Sequence, residues 1–416
     1  MFENRPLSGV KVVELATFVA APCATRFFAD QGADVIKVEA LTGDGIRWAA
    51  EGEARPVFKD EMQHNLVFEL ENGNKRSISM NLKNPECYDI LMKLIADADI
   101  FVTNWRPQAL ARMKLSYEDL KAQFPKLVYA TVTGFGEKGP DKDLPGYDFT
   151  AFWTRSGILG SLYEAGQTPM NLIPSMGDRA TGMSLAAGVL AALYRASKTG
   201  KGEKVSCSLL GTAIFMQGTM IQTCQYGLIE YPITKHQAPN PLMTCYKTKD
   251  ERWIQTCMPI YNLMFPNFAK AFGHPEWIED ERFCNFAALQ KDGNSGKLYD
   301  EIAAVYASMT AEEASKVLTE ADIAFAVALV WKEVLKDPQA WANDYFYEVE
   351  YKAGKFTAVR NPVQFEEAGL PPEMRKFPAL GGDTAEIMKG LGYTDERIAE
   401  MEANKDIRCG GFDFKK

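Results

Sequence analysis

The chain has 416 residues, of which 46% are hydrophobic and 24% are charged, and this composition excludes collagen-like, low-complexity and membrane-spanning classes. At about 150 residues per domain, the length predicts two or three domains with a substantial hydrophobic core. The 46 basic and 55 acidic residues give a net charge of -9, so nucleic acid is not an expected partner and an anionic ligand needs a local cluster of basic side chains.

In chain order, the N-terminal half alternates strands with helices. Its predicted strands lie at residues 10–15, 34–39, 76–82, 100–103 and 127–133. Its predicted helices lie at about 22–31, closed by Gly32, and at 85–96, where Pro85 occupies the first turn. Strands that alternate with helices predict a parallel sheet with helices on both faces, which is an α/β fold.

A longer helix is predicted from Asp178, because apolar residues recur every three or four positions as far as Tyr194 and Gly200 ends the pattern. A strand at 204–209 follows a polar turn. Prolines at 232, 239 and 241 then mark residues 231–245 as a linker. The elements predicted after it are a hairpin at 245–258, helices near 263–272 and 297–308, a capping box from Thr310 to Glu313, and a terminal helix at 383–391.

These patterns predict three parts of the chain. Residues 1–225 form the N-terminal part of a large domain, residues 226–325 form a smaller domain, and residues 326–416 form a linker and then return to the large domain. The eight cysteines include no Cys-x-x-Cys pair and the three histidines lie far apart, so neither a metal site nor a disulfide framework is predicted. The first residues lack the apolar core of a signal peptide, and we expect a cytoplasmic protein with no membrane contact.

A glycine-rich segment, Gly134-Phe-Gly136-Glu-Lys-Gly139, follows a predicted strand and matches G-x-G-x-x-G. A dinucleotide site also needs a helix that starts inside the glycines, whereas Pro140 and Pro145 follow at once. We therefore predict a flexible loop at the carboxyl end of the sheet, able to cover a site.

Two interpretations of Asp178 remain open from the residues alone. It precedes an apolar helical pattern, so it can be the N-cap of the helix. It can also be a nucleophile, since helix-terminal amides stabilise an ionised carboxylate by about 0.3–1 kcal/mol and carboxylates attack acyl groups. Lys83, Arg106 and Arg112 follow predicted strands, where they are either exposed surface charges or an anion site at one sheet edge.

Several runs together resemble CoA-transferases of family III. They are Leu7 to Glu14, Gly32 to Glu39, Asn104-Trp-Arg-Pro-x-Ala-Leu110, Gly177-Asp-x-x-Thr-Gly-Met183, Thr199 to Val205 and Pro378 to Thr384. The run from Lys138 to Ala151 is similar to that of the family members from amino-acid-fermenting anaerobes that use phenyllactate or 2-hydroxyisocaproate. The resemblance covers nearly the whole chain.

This resemblance implies a Rossmann-like large domain built from both chain ends, a smaller α+β domain between them, and a homodimer of interlocked rings. It implies that CoA moves from an acyl-CoA to a free carboxylic acid, without a permanently bound cofactor, and the similarity to that subgroup implies a 2-hydroxy acid as the acceptor. Association with a 2-hydroxyacyl-CoA dehydratase is a further expected partnership.

The resemblance also implies roles for individual residues. Asp178 matches the nucleophile, and Tyr147 and Asp148 fall beside the active site. The positions that match CoA contacts are Val19, Ala20, Lys83, Asn104, Trp105, Arg106 and Arg112. The chain departs from formyl-CoA transferase at Ala40, where that enzyme has a basic CoA contact, and it lacks that enzyme's tetraglycine loop.

Two alternatives stay open. The 2-methylacyl-CoA racemases share the fold but carry a Gly-His-Asp run where this chain has Gly146-Tyr147-Asp148, and a tyrosine is a poor base near neutral pH. The other alternative is a non-catalytic acyl-CoA-binding subunit of a larger assembly, against which the intact Asp178 argues.

Overall fold

The computed structural model describes residues 5–47, 66–227, 230–351, 354–370 and 378–410. Residues 1–4, on which the expectation about a signal peptide partly rests, lie outside these ranges. The strands are β1 (Lys11–Leu15), β2 (Asp34–Glu39), β3 (Arg76–Met80), β4 (Ile100–Thr103), β5 (Val128–Thr133), β6 (Lys204–Ser208), β7 (Cys245–Lys247), β8 (Trp253–Thr256), β9 (Phe325–Val327), β10 (Phe346–Tyr351), β11 (Gly354–Val359) and β12 (Ile407–Arg408).

The α-helices of the N-terminal half are α1 (Ala20–Asp30), α2 (Leu66–Asn72), α3 (Pro85–Ala96), α4 (Pro107–Arg112), α5 (Tyr117–Gln123), α6 (Ile158–Ser161), α7 (Met176–Thr199), α8 (Leu209–Met216) and α9 (Gly218–Thr223). Those that follow are α10 (Tyr261–Ala271), α11 (Phe286–Leu289), α12 (Asn294–Ser308), α13 (Ala311–Glu320), α14 (Trp331–Val334), α15 (Pro338–Ala342), α16 (Thr384–Gly390) and α17 (Asp395–Ala403). In the described parts of the chain, none of these helices combines the length and the apolar character that crossing a bilayer requires.

A seven-stranded sheet organises the larger part of the molecule, in the order β12-β3-β2-β1-β4-β5-β6. The pairs from β3 to β6 are parallel, and β12 adds an antiparallel edge. The predicted α/β fold with a parallel sheet is therefore confirmed. The order 3-2-1-4-5-6 reverses direction between β1 and β4, and ligands of such sheets bind at the carboxyl ends of the strands on either side of that point.

Strand residues alternate between the two faces of this sheet, and both faces are apolar. Val12 of β1 joins a buried cluster with residues of α1 and α7, whereas its neighbour Val13 joins one with residues of α3, α16 and α17. Since successive side chains of a strand point to opposite sides, a run of apolar residues requires helices on both faces. This explains why the strands read as continuous hydrophobic segments.

A buried charge network lies beneath the carboxyl ends of β1 and β2. Lys37 and Lys75 each donate to the Glu14 carboxylate at 2.7 Å, and Lys37 is ion-paired to Asp44 at 2.9 Å. Burial alone would raise the pKa of Glu14, but the two lysine charges outweigh it and lower that pKa to about 2. Such a network is stable only while every charge keeps its partner.

The chain forms two compact units, residues 1–158, 171–222 and 338–416 in one and residues 159–170 and 223–337 in the other. The second unit contains the antiparallel sheet β7-β8-β9, so the predicted hairpin is confirmed. Thr310 and Glu313 form the predicted capping box at the start of α13. The domain boundaries at 225 and 325 stay a prediction, and residues 159–170 belong to a unit to which the sequence did not assign them.

Candidate active site

The N-terminus of α7 carries Asp178 without using it as a cap. The helix begins at Met176, and the residue in the N-cap position is Ser175, whose φ of 69° is left-handed. Asp178 lies in the first turn, and no residue in the described ranges donates a hydrogen bond to its carboxylate. The interpretation of Asp178 as the N-cap is therefore wrong, and its carboxylate is left available for chemistry.

Gly177 allows this helix start to lie against a π-helical segment, Asp148–Thr154. A Cβ atom at Gly177 would lie 2.2 Å from Cγ of Phe152 and 2.3 Å from Oδ1 of Asp148, distances that real Cβ atoms do not adopt. The absence of a side chain thus brings the Asp148 carboxyl group beside the first turn of α7. Short π-helical turns are common at functional sites.

The buried Asp148 faces the amide end of α7. Its Oδ2 accepts a hydrogen bond from Nε1 of Trp153 at 3.3 Å. The amides of Ser175, Gly177 and Asp178 favour the charged carboxylate without reversing the rise in its pKa that burial causes. Oδ1 is near these amides but forms no hydrogen bond of good geometry with a described residue.

Asp178 is held in an environment that disfavours its charge. Burial raises its pKa to about 7, the negative charges of Asp148 and Glu71 add to the rise, and Arg179 opposes it. A carboxylate poorly solvated by water is a stronger nucleophile than an exposed one, and a pKa near neutrality still leaves much of it ionised.

Arg179, next to Asp178, is anchored from one side. Its Nε and Nη2 lie 2.9 Å and 2.7 Å from Oε1 of Glu71. Glu71 belongs to α2 and is almost fully buried, and burial raises its pKa while Arg179 opposes the rise. A buried carboxylate with a raised pKa therefore fixes the guanidinium beside Asp178.

The turns after β1 and β4 are tied together at the point where the strand order reverses. Nδ2 of Asn104 donates to the Thr17 carbonyl at 2.7 Å, and its Oδ1 accepts from the Thr17 amide at 3.0 Å. The next residue, Phe18, has a φ of 63°, which is costly for a bulky side chain. Its amide donates to Asp44 at 3.0 Å, so the buried charge network supports this strained turn.

These elements enclose a cavity of about 950 Å³ in the larger unit, at the upper end of the range for small-molecule sites. Eight of the predicted site residues line it, namely Val19, Ala20, Asn104, Trp105, Arg106, Tyr147, Asp148 and Asp178. Lys83 and Arg112 are not among the lining residues. They are exposed, one just after β3 and the other at the end of α4.

The segment from Gly134 to Tyr147 also borders the cavity and contains no helix. The prediction of a loop rather than a dinucleotide fingerprint is therefore confirmed. A Cβ at Gly134 would lie 2.5 Å from Cα of Gly146, so the two glycines let the ends of the loop touch.

Tyr147 is 58% exposed, and its ring meets that of Phe18 edge-on at 5.9 Å.

Sequence reasoning missed four residues of this site. Arg179 could have been found because it directly follows Asp178, and Phe18 because it lies within the small-residue turn after β1. Glu71 and Asp44 carry no local signal, since they reach the site from segments that are remote in sequence.

Comparison with known proteins fits this geometry. The model of CoA-transferase family III matches residues 7–384. The chain belongs to CoA-transferase family III. Two relatives support its activity as a CoA-transferase. The cinnamoyl-CoA:phenyllactate CoA-transferase of Clostridium sporogenes is 48% identical over 96% of this chain and 97% of its own length. The (R)-2-hydroxy-4-methylpentanoate CoA-transferase of Clostridioides difficile is 43% identical over 97% of this chain and 99% of its own length.

A solved structure shares the fold of this CoA-transferase. The crystal structure of a CAIB/BAIF family protein from Brucella suis has a TM-score of 0.78 and 26% identity to it. The match covers 94% of this chain and the whole of the other. The arrangement of sheet and helices around the cavity is thus that of a known fold.

Proposed function

We propose that this CoA-transferase moves CoA from an acyl-CoA thioester to a free 2-hydroxy acid, with Asp178 as the covalent nucleophile. The observation that carries the proposal is the Asp178 carboxylate, which accepts no hydrogen bond from the described residues and has a pKa of about 7, in a large cavity at the carboxyl ends of β1 and β4. The substrate class is supported by the two relatives, whose names specify phenyllactate and (R)-2-hydroxy-4-methylpentanoate.

The reaction proceeds in two balanced halves. The Asp178 carboxylate attacks the donor thioester carbonyl, which forms a mixed anhydride and releases the CoA thiolate. The thiolate attacks the aspartyl carbonyl, which forms an aspartyl-CoA thioester and releases the donor as a free carboxylate. An acceptor carboxylate then attacks the aspartyl carbonyl of this thioester, which forms a second mixed anhydride and expels the CoA thiolate. The thiolate attacks the acceptor carbonyl of that anhydride, which forms the product acyl-CoA and releases Asp178 as a carboxylate.

The groups around Asp178 are proposed to stabilise the developing oxyanions and to exclude water from the site. Amides at the start of α7 can stabilise the oxyanion that develops on each attacked carbonyl. Since anhydrides hydrolyse, the site must exclude water, and the loop from Gly134 to Tyr147 is placed to cover it.

The CoA moiety is proposed to extend from the cavity past the predicted contact residues. Val19 is the N-cap of α1 and Ala20 is its first residue, and the N-terminal amides of a helix attract negative charge. Arg106 borders the cavity, and the exposed Lys83 and Arg112 are the candidates for phosphate groups farther out. Asn104 connects the turn after β1 to the turn after β4, because both polar atoms of its side chain form hydrogen bonds with the Thr17 backbone.

We also propose the interlocked homodimer. Three consecutive apolar residues of α8, Ile214, Phe215 and Met216, are 40%, 85% and 60% exposed in the single chain. A cluster of this kind is unusual on the surface of a monomer and is typical of a surface that another chain covers. Association with a 2-hydroxyacyl-CoA dehydratase remains a proposal, to be tested by co-purification of the two native enzymes.

The function is tested by incubating the enzyme with a panel of acyl-CoA donors and carboxylic acids and following CoA exchange by mass. Exchange to 2-hydroxy acids is expected, and Asp178→Asn should abolish it because the amide keeps the shape and loses the nucleophile. Hydroxylamine added after acyl-CoA should modify Asp178. Substantial exchange by the Asp178→Asn variant would disprove its role.

The racemase alternative is less well supported because Tyr147 occupies the place of the racemase histidine. A chiral 2-methylacyl-CoA incubated in deuterated water should keep its configuration and take up no deuterium at the α-carbon. Rapid α-deuterium uptake without CoA exchange would favour the racemase.

A further inference from the structure

Arg179 presents one edge of its guanidinium to Glu71 and leaves the other edge available. The Nε and Nη2 contacts use the side edge, and Nη1 forms no hydrogen bond with any residue of the described ranges. The Arg179 side chain is 38% exposed, whereas that of Glu71 is 2% exposed. The anchor is therefore buried, and Arg179, whose Nη1 has no partner among the described residues, is one of the residues that line the cavity.

The cavity has few positive charges to offer an acid substrate. Its basic lining residues are Arg106, Lys142 and Arg179, and among them Arg179 directly follows the nucleophile. Its charge reaches Asp178, because it opposes the rise in the pKa of that carboxyl group. Asp148 and Glu71 add negative charge at the same place, so an incoming carboxylate would be repelled without a neighbouring cation.

We propose that Arg179 binds the carboxylate of the acid substrate, both the donor acid that leaves and the 2-hydroxy acid that enters. Glu71 is a positioning residue that holds the guanidinium in place. This inference rests on the proposed function. The planar fork of an arginine offers two parallel N–H donors, which match a carboxylate in a bidentate contact.

The charge of Asp178 changes through the reaction in a way that suits this role. In the resting enzyme the positive charge of Arg179 stabilises the ionised Asp178 carboxylate. As the aspartyl-CoA thioester it carries no charge, so the acid carboxylate takes its place as the anion beside the guanidinium. The same arginine can therefore stabilise the free nucleophile and then orient the acid for attack on the thioester.

The test is steady-state kinetics of Arg179→Ala, with the acid and the acyl-CoA varied separately. We expect the KM for the acid to rise about 10- to 100-fold, the range for hydrogen bonds to a charged group, and the KM for acyl-CoA to change less than about threefold. Arg179→Lys should recover only part of the acid affinity, because the ammonium lacks the fork. Added guanidinium ion should partly restore it in Arg179→Ala.

Arg195→Ala is the matched control. Arg195 lies on the same helix and pairs with Glu203 at 2.7 Å, but it does not line the cavity, so its removal should leave both KM values unchanged. Arg179→Ala leaves the buried Glu71 carboxylate without its cation, which can destabilise the fold. The double variant Glu71→Gln with Arg179→Ala removes that buried charge, and it should show the same rise in the KM for the acid.

A second measurement separates this inference from the proposed function. Acyl-CoA alone is added to the enzyme, and formation of the aspartyl-CoA thioester is detected by mass spectrometry. If the wild-type enzyme forms no such adduct, the proposed function fails. If it does, and the Arg179 variants lose kcat with an unchanged KM for the acid, Arg179 is structural and the inference is overturned.

Discussion

At the residue scale, the raised pKa of Asp178 determines how the rate depends on pH. The proposed nucleophile must be ionised to attack, so kcat/KM for acyl-CoA should fall about tenfold per pH unit below its pKa of about 7. Because Arg179 lowers this pKa, Arg179→Ala should move the acidic limb to higher pH, and Arg195→Ala should not. A profile that is flat down to about pH 5 would contradict the raised pKa.

The same carboxyl group should destabilise the native protein. Its pKa rises from 3.8 to about 7 on folding, so between these values the folded state binds more protons than the unfolded state and stability falls as the pH rises. Asp178→Asn removes this penalty, and above pH 7 it should increase the free energy of unfolding by about 1–3 kcal/mol. Urea unfolding at pH 7.5 and at pH 4 checks this, and the gain should vanish at the lower pH.

At the element scale, the close approach of α7 to the π-helical segment depends on Gly177. Gly177→Ala would press a methyl group into Phe152 and Asp148, which should cost about 1–3 kcal/mol of stability and displace Asp178 enough to reduce transfer strongly. Gly218 is the control, since it begins α9 and a Cβ there meets nothing within 4 Å. Gly177→Ala should lower both the melting temperature and the rate of CoA exchange relative to Gly218→Ala. Equal melting temperatures and equal rates would refute the packing argument.

The network beneath β1 and β2 also links elements, because Lys37 joins Glu14 to Asp44, which holds the Phe18 turn. Lys37→Met leaves two buried carboxylates short of a cation and should cost about 3–5 kcal/mol. Lys204→Met breaks a half-exposed pair with Glu137 and should cost less than about 1 kcal/mol. Denaturant unfolding compares the two, and equal losses would show that the buried network contributes little.

At the scale of the whole molecule, interlocked chains cannot separate without extensive unfolding. The proposed dimer should therefore persist on dilution to nanomolar concentration, where one held by a surface patch alone shows a measurable dissociation constant. Tagged and untagged native protein, mixed and separated by affinity, should exchange no subunits over hours. Ready exchange would exclude the ring topology while leaving the chemistry of Asp178 intact.

Local sequence patterns predicted the α/β class and the alternation of strands and helices, and eight of the predicted site residues line the cavity. Hydrophobic periodicity and capping residues are local signals, so the helices α3 and α12 and the hairpin β7-β8 could be predicted within a few residues. The two-residue strand β12 was not predicted, since it has no periodicity of its own and exists only because it pairs with β3.

The burial and electrostatic environment of Asp178 depend on the tertiary structure. Its local sequence fitted an N-cap as well as a nucleophile, because a cap and a reactive carboxylate both lie at a helix start. The distinction depends on Asp148, Glu71 and the buried anchor of Arg179, which come from segments far apart in the chain. Burial and charge at a site are sums over spatial neighbours, and a linear pattern does not contain them.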